Sequence, residues 1–412
     1  MTTSSAHPET TSPASALPAH VPQSLVHDFD LYDVQVEDGD YHAALKRLHE
    51  PGVPDIFWTP RNGGHWVATR GEDIYHIFKD AEHFSSRKLV VPRERNPAVP
   101  LPPIFLDPPE QAKYRSLLAP ALSPKAVSPL GESARELAIE LIEGFYATGE
   151  CEFVGDFAQH LPIGIFMKMV DVPTADRAKL LHWADQQVRP TSEHEREDSF
   201  HQLFAYAAQK VAERRANPGA DLISDLTKAQ VDGQPITAEA LAPMIFLLLV
   251  GGLDTVASAM GFAARFMASN PAHRRELIDH PERIPGAVEE LLRRFPVVNQ
   301  GRMVISDMTY KGVELRAGDQ IILPTTLHGL DDRKFEDPLR VDFSRPMPIH
   351  STFGNGVHRC PGSLLARTEL KIFLEEWLKR IPDFRIKPGT TPGVRAGVNA
   401  TIYSLPLVWE VR

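Results

Sequence analysis

The chain is poor in cysteine, with two in 412 residues, Cys151 and Cys360. Two thiols cannot build a disulfide framework or a multi-thiolate zinc site, and they suit a reducing cytosol. Cys151 reads as a small apolar residue near a helix end. Positive charge is also short. Lys and Arg number 44 against 54 Asp and Glu, a net charge of -10, so no broad basic face for nucleic acid is expected. Long apolar runs are missing too. The strongest, Leu241 to Leu253, is broken by Pro243 and two glycines and falls short of a bilayer span, so no membrane anchor is expected. Residues 1–22 are rich in Ser, Thr, Ala and Pro and hold no apolar stretch; they predict a disordered tail, not a signal peptide. What remains has ordinary globular composition, 42% apolar and 24% charged, without internal repeats. One cytoplasmic domain over residues 23–412 is the expectation.

Along the chain, Ile56–Trp58 and Trp66–Thr69 predict a strand pair around the turn Arg61–Gly64. A helix is expected over Glu72–Phe78. Leu89 to Phe105 contains Pro92, Pro97, Pro100, Pro102 and Pro103, a density that forbids a regular helix and marks a linker or a lid. Asp107 is expected to cap the next helix, with Pro108 in its first turn. From Lys125 to Asn270, apolar residues recurring at spacings of three and four predict mainly helix, broken at Pro173, Asn217–Gly219 and Asp232–Pro235. Further helices open at Pro271 and Pro285. Strands are expected within Met303–Leu315, Gln320–Leu323, Phe384–Ile386 and Ala400–Trp409. The sum is a mainly α fold with small β-sheets, of the α+β class.

Cys360 stands in Phe353-Gly-Asn-Gly356-Val-His358-Arg-Cys360-Pro361-Gly362, just before a helix that should end ahead of Pro382. A thiolate that must present sulfur to a metal needs a rigid loop. Gly354, Gly356 and Gly362 are expected to supply its unusual backbone angles, and Phe353 to shield the sulfur. The helix N-terminus favours an ionised thiol. A buried structural cysteine on a glycine-rich turn is the plain alternative. The whole spacing, Phe-x-x-Gly-x-His-x-Cys-x-Gly, resembles the haem-binding loop of the cytochrome P-450 monooxygenases. That resemblance implies the family's triangular helix-rich fold, haem b as cofactor and Cys360 as the iron's ligand, with Phe353 and Gly356 in the haem-binding loop.

Leu247-Leu-Leu-Val250-Gly251-Gly252-Leu253-Asp254-Thr255 lies in a helix that is apolar nearly all round, hence a core helix. Two adjacent glycines cost about 1 kcal/mol each there against alanine, and an acid and a hydroxyl add desolvation. Local rules broken together mark a site. A kinked core helix, with Thr255 bonding back to a carbonyl, is the alternative. The resemblance makes Asp254 and Thr255 the acid–alcohol pair that delivers protons to iron-bound dioxygen, with Gly251 giving it room.

The same resemblance assigns Arg115, Arg302 and His358 to the haem propionates. It gives Glu290-Leu-Leu-Arg293 a structural role and makes the Leu89–Phe105 segment a lid. Arg189 would pair with Asp254 on closure. Within the family the likeness runs to the camphor 5-monooxygenase group, in Val-Asp-Phe-Ser-Arg345 and Leu405-Pro-Leu-Val-Trp409 among others. A pocket of Val90, Val99, Leu247, Val250, Gly251, Val298, Val398 and Asn399 follows, for a small, mostly apolar, monoterpenoid-like substrate. Val99 stands where that group has a tyrosine donor, Asn399 where it has a valine, and Ala112 where it has an arginine facing the electron carrier. The implied partners are dioxygen and a two-iron, two-sulfur ferredoxin with a flavin reductase and NADH upstream; neither nucleic acid nor membrane is expected. A haem protein that binds or senses a small ligand without turnover is the rival function, and it would have no use for the Asp254–Thr255 pair.

Overall fold

The computed structural model describes residues 15–36, 39–97, 100–188 and 192–411. Its helices are α1 (Tyr41–Lys46), α2 (Gly71–Lys79), α3 (Glu110–Leu118), α4 (Pro124–Tyr146), α5 (His160–Val170), α6 (Arg177–Val188), α7 (Glu193–Ala216), α8 (Leu222–Thr227), α9 (Ala238–Ser269), α10 (Pro271–Asp279), α11 (Ile284–Arg294), α12 (Thr325–Gly329) and α13 (Ser363–Arg380). The expected mainly α class with small sheets is what forms. In the largest sheet the strands run in the spatial order Ile56–Thr59, His65–Ala68, Gln320–Pro324, Asn299–Val304 and Phe84–Ser85. The expected closing strand over Ala400–Trp409 is two strands. Thr401–Ser404 pairs with Gly393–Arg395, and Pro406–Trp409 pairs with Phe384–Ile386 and Glu150–Glu152.

α9 is the axis of the molecule. Thr237 starts it by accepting a hydrogen bond from the Ala240 amide at 3.3 Å, and Asn270-Pro271 ends it as α10 begins. Pro243 and the glycine pair do not interrupt its 32 residues. By length and composition alone α9 could cross a membrane, against the expectation drawn from its broken apolar run. Here it packs against α5, α7, α10 and α13, which gives its apolar flanks a protein environment. α13 lies along α4, where a Cβ at Gly131 would come within 3.0 Å of Thr368.

Two apolar clusters result. One joins α9, α11, α13 and the sheets; the other joins α5, α7, the near half of α9 and the Leu89–Phe105 segment. That segment is folded on itself by Asn96, whose Oδ1 accepts from Leu89 and Val90 and whose Nδ2 donates to Val90 and Arg93 carbonyls. Two sequence expectations need correction. Asp107 does not cap α3, which starts only at Glu110; its carboxylate accepts instead from Ser85 Oγ at 2.6 Å and Ser86 N at 2.7 Å. Of the expected disordered tail, residues 15–22 lie on the fold. Val21 is buried and His20 Nε2 is 2.9 Å from Asp319. Prolines there set extended backbone, and one valine anchors it.

Candidate active site

Cys360 carries exposed surface, yet burial is the first cause raising its thiol pKa. A side chain deep in the fold with open surface faces an internal cleft. Its loop is held by backbone bonds: Cys360 N donates to Phe353 O at 2.8 Å and Gly354 N to Ser351 O at 2.7 Å. Gly354 and Gly356 have φ of 65° and 69°, as expected of a left-handed turn, whereas Gly362 at −80° is ordinary. Gly362 acts instead through its amide, which bonds the sulfur and, with Arg115, Arg367 and Arg359, opposes the upward push of burial. A coordinated metal ion would deprotonate the thiol outright. Gly356 is required sterically as well, since a Cβ there would stand 2.8 Å from Lys79 Cα. Phe353 takes Arg367 on its ring face at 4.4 Å.

Below the loop, Arg293 and Glu290 form a bidentate pair, both bonds 2.7 Å and both side chains essentially unexposed. The remaining donors of Arg293 reach the carbonyls of Gly329, Pro338 and Arg340, and Glu290 also accepts from Asp342 N at 3.0 Å. The pair therefore clamps the chain between α12 and the cysteine loop. Glu289, its neighbour, was not singled out by sequence. Burial pushes its carboxyl up, but His350 and Arg367 outweigh that and hold it at about 2.

Arg115, Arg302 and His358 gather beside the loop. Burial first, then Arg302 and Arg115, depress His358 to about 4, so it is a neutral imidazole at neutral pH. Its Nε2 is buried with no hydrogen-bond partner among the described residues, a cost unless an acceptor meets it. Burial likewise lowers Arg302 to about 10, still charged at pH 7. Its Nη1 donates to Gly301 O at 2.8 Å, and no carboxylate lies in ion-pair range of it among the described residues. Arg115 donates to the Arg359 carbonyl. Two residues missed by sequence support the group: Asp107, whose charge acts on Arg302 and His358, and Gln111, whose Nε2 donates to Val357 O at 3.0 Å. Sequence marks Asp107 only as a helix cap and does not mark Gln111, because the partners of both are distant in the chain.

On α9, Leu247, Gly251 and Thr255 recur every four residues and share one helix face. Gly251 and Gly252 are exposed, and a Cβ on either would meet nothing within 4 Å, although Leu249 and Ala257 nearby are buried. This face is open. Thr255 Oγ1 donates to the Gly251 carbonyl at 2.9 Å, which leaves its lone pairs free to accept. Asp254 is turned aside. Its Oδ1 accepts from Ser258 at 3.4 Å, and its Oδ2 from Asn399 at 3.3 Å and Thr401 at 3.5 Å. Burial raises its pKa, while those donors and Arg395 act against the rise.

Of the expected pocket wall, Val250 lines a small cavity with Asp254. Val298 forms a backbone bridge with Asn399, and Val398 accepts from Asn299 N at 2.7 Å, so these three share one seam. Val90 and Leu247 are half-buried. Val99 and Arg189 lie outside the described residues.

The residues fit a haem: a rigidly held thiol, an orphaned imidazole nitrogen and an unpaired buried guanidinium beside it, and a helix face kept clear by glycines. Cys360 could ligate the iron, and Arg115, Arg302 and His358 could meet the propionates.

Comparison with known proteins agrees. The family model for cytochrome P450 matches residues 166–394. A probable cytochrome P450 127A1 of Sinorhizobium fredii is 34% identical over 95% of this chain and 97% of its own length. The mycinamicin IV hydroxylase/epoxidase of Micromonospora griseorubida is 32% identical over 78% of this chain and 83% of its own. The crystal structure of CYP101J2 has a TM-score of 0.89 at 39% identity, and that of CYP101C1 a TM-score of 0.90 at 37%; each covers 96% of this chain and all of its own.

Proposed function

The chain belongs to the cytochrome P450 family, a monooxygenase of class EC 1.14 that carries haem b, and from that premise we propose that it hydroxylates a small, mostly apolar molecule of monoterpenoid size. Electrons come from a two-iron, two-sulfur ferredoxin fed by NADH through a flavin reductase, in the cytoplasm. The observation that carries this is the open α9 face, with Thr255 on it and Asp254 behind it.

When bound, the haem supplies the site that activates dioxygen, with Cys360 as its thiolate ligand. The other steps belong to side chains. Thr255, its proton held on Gly251, accepts a hydrogen bond and orders the donor. Asp254, whose pKa burial raises, can hold a proton and pass it on. Leu247, Val298 and Val398 exclude water and fit an apolar guest. Without the camphor group's tyrosine donor, shape more than a hydrogen bond orients that guest. A ferredoxin is supported on the cysteine side, where exposed Arg359 and half-buried Arg115 stand beside exposed Val357 and Leu364, on a chain that is otherwise acidic.

The test is a haem-absorption screen of small apolar compounds, followed by ferredoxin-driven turnover of those that shift the spectrum. Product formed in proportion to NADH in the wild type, and mainly peroxide in Thr255→Ala, is the expected outcome. A ligand that binds but is never turned over by any reductant points to a sensor instead, and full coupling in Thr255→Ala removes the proton-delivery role.

A further inference from the structure

Asp254 depends on a segment of chain far from α9. Among the described residues, two of its three hydrogen-bond donors, Asn399 and Thr401, come from across 145 and 147 residues of sequence, and both reach the same oxygen, Oδ2. Asn399 is itself fixed by its neighbours. Its backbone bridges Val298, Asn299 N donates to Val398 O at 2.7 Å, and Ala400 N donates to Val297 O at 2.7 Å. The side chain of Asn299 closes the corner by donating to Gly397 O at 2.7 Å. Val298, Val398 and Asn399 thus move as one piece, and that piece is the apolar wall assigned to substrate.

On its other side Asp254 borders a cavity of about 30 Å³ shared with Gln159, Gln187, Ser258 and Thr401. That volume suits a single water with polar partners. The acid therefore sits between a water-sized pocket and an amide rooted in the substrate wall.

We propose that Asn399 is a positioning residue for Asp254: its amide holds the carboxylate toward the 397–401 segment, so that displacement of the Val298–Val398 wall by substrate loosens Asp254 and frees it to exchange protons through the cavity. This rests on the function proposed above and adds a link between an occupied pocket and proton delivery. The amide is a neutral donor and stabilises the ionised acid more than the protonated one. Among the described residues, the other groups facing Asp254 are Ser258 on α9, Thr401 and, at longer range, Arg395 from the paired strands. Arg395 in turn feels Arg196 of α7. Asn399 is the one of these joined directly to the pocket wall by a backbone bridge.

Asn399→Leu keeps the size of the side chain and deletes the donor. Infrared titration of the ferric holoprotein, with Asp254→Asn identifying the Asp254 carboxyl band, should show the midpoint rise by roughly half to one pH unit in Asn399→Leu. Substrate should raise the wild-type midpoint in the same direction and have little further effect on the variant. The peroxide share during turnover should change little, because bound substrate has already loosened Asp254 in the wild type, and the substrate dissociation constant should change little as well. Asn399→Val, a second deletion of the donor, should reproduce the shift. An unmoved midpoint in both variants overturns the proposal, as does a wild-type midpoint blind to a compound that fully shifts the haem spectrum. The underlying function fails separately: if Asp254→Asn consumes oxygen at the wild-type rate, proton delivery lies elsewhere, whatever the infrared band reports.

Discussion

Arg293 on the cysteine side and Asp254 on the α9 side are both charged groups sunk in the fold, and they are treated differently. Arg293 has a bidentate carboxylate partner at 2.7 Å and three carbonyl acceptors at 2.6 to 3.0 Å. Among the described residues, Asp254 has three neutral donors at 3.3 to 3.5 Å and a small cavity at its side. The first arrangement has no reason to move. The second leaves a carboxyl with a raised pKa and loosely held oxygens, as a group that exchanges protons requires. The cysteine side fixes one atom in space, and the α9 side stays adjustable.

The comparison breaks most decisively at Cys360. If the cysteine side exists to present one sulfur, Cys360→His removes the thiolate-type absorption band of the reduced carbon monoxide complex entirely. An unchanged band would put the ligand elsewhere.

Next in size is the clamp. Arg293→Ala leaves Glu290 as a buried charge without its principal partner, a change that costs about 3–5 kcal/mol. Thermal or denaturant unfolding should show this loss, together with poor haem retention. Asp254→Asn, which removes a charge instead of stranding one, should change stability by less than about 1 kcal/mol. Equal losses for the two variants would erase the distinction.

Glycine gives a smaller and two-signed test. Gly356→Ala forces a Cβ against Lys79 Cα and Phe78 O at a φ of 69°, at a cost of about 1–3 kcal/mol. Gly251→Ala meets nothing within 4 Å and improves helix propensity by about 1 kcal/mol. It should therefore raise the apparent Tm slightly while weakening substrate-induced spectral shifts, because the methyl enters the cleft. Loss of stability in Gly251→Ala would mean that this face is packed.

The same contrast explains what could be read without coordinates. The cysteine loop, the Glu290–Arg293 pair and the glycine-acid-alcohol run each lie within a dozen residues, so their chemistry appears as spacing. Asn399 on Asp254, Gln111 on Val357 and Asp107 beside Arg302 are long-range contacts between residue types common on any surface. The sequence reveals a glycine at 362 but not its φ, so the expected unusual backbone angle there gives way to an ordinary one. Asp-Pro-Pro at 107–109 resembles a helix start, but the carboxylate of Asp107 accepts from Ser85 and Ser86 instead of capping α3.

The smallest effect concerns the charge left on sulfur. Gly362 supplies an amide to Sγ, whereas Pro361, between it and Cys360, has no N–H to offer. Pro361→Leu restores one donor beside the thiolate. One added hydrogen bond to a charged sulfur is worth on the order of 1 kcal/mol, which for a single electron is about 40 mV. Drawing charge from the sulfur favours the reduced iron, so the potential of the substrate-free protein should rise by that amount. Proline also stiffens the loop, and a looser loop would broaden spectral bands without a directed change in potential. Potentiometry separates the two. A rise of tens of millivolts assigns Pro361 to electronic control of the sulfur, and an equal or lower potential leaves it the mechanical role shared by Gly354 and Gly356.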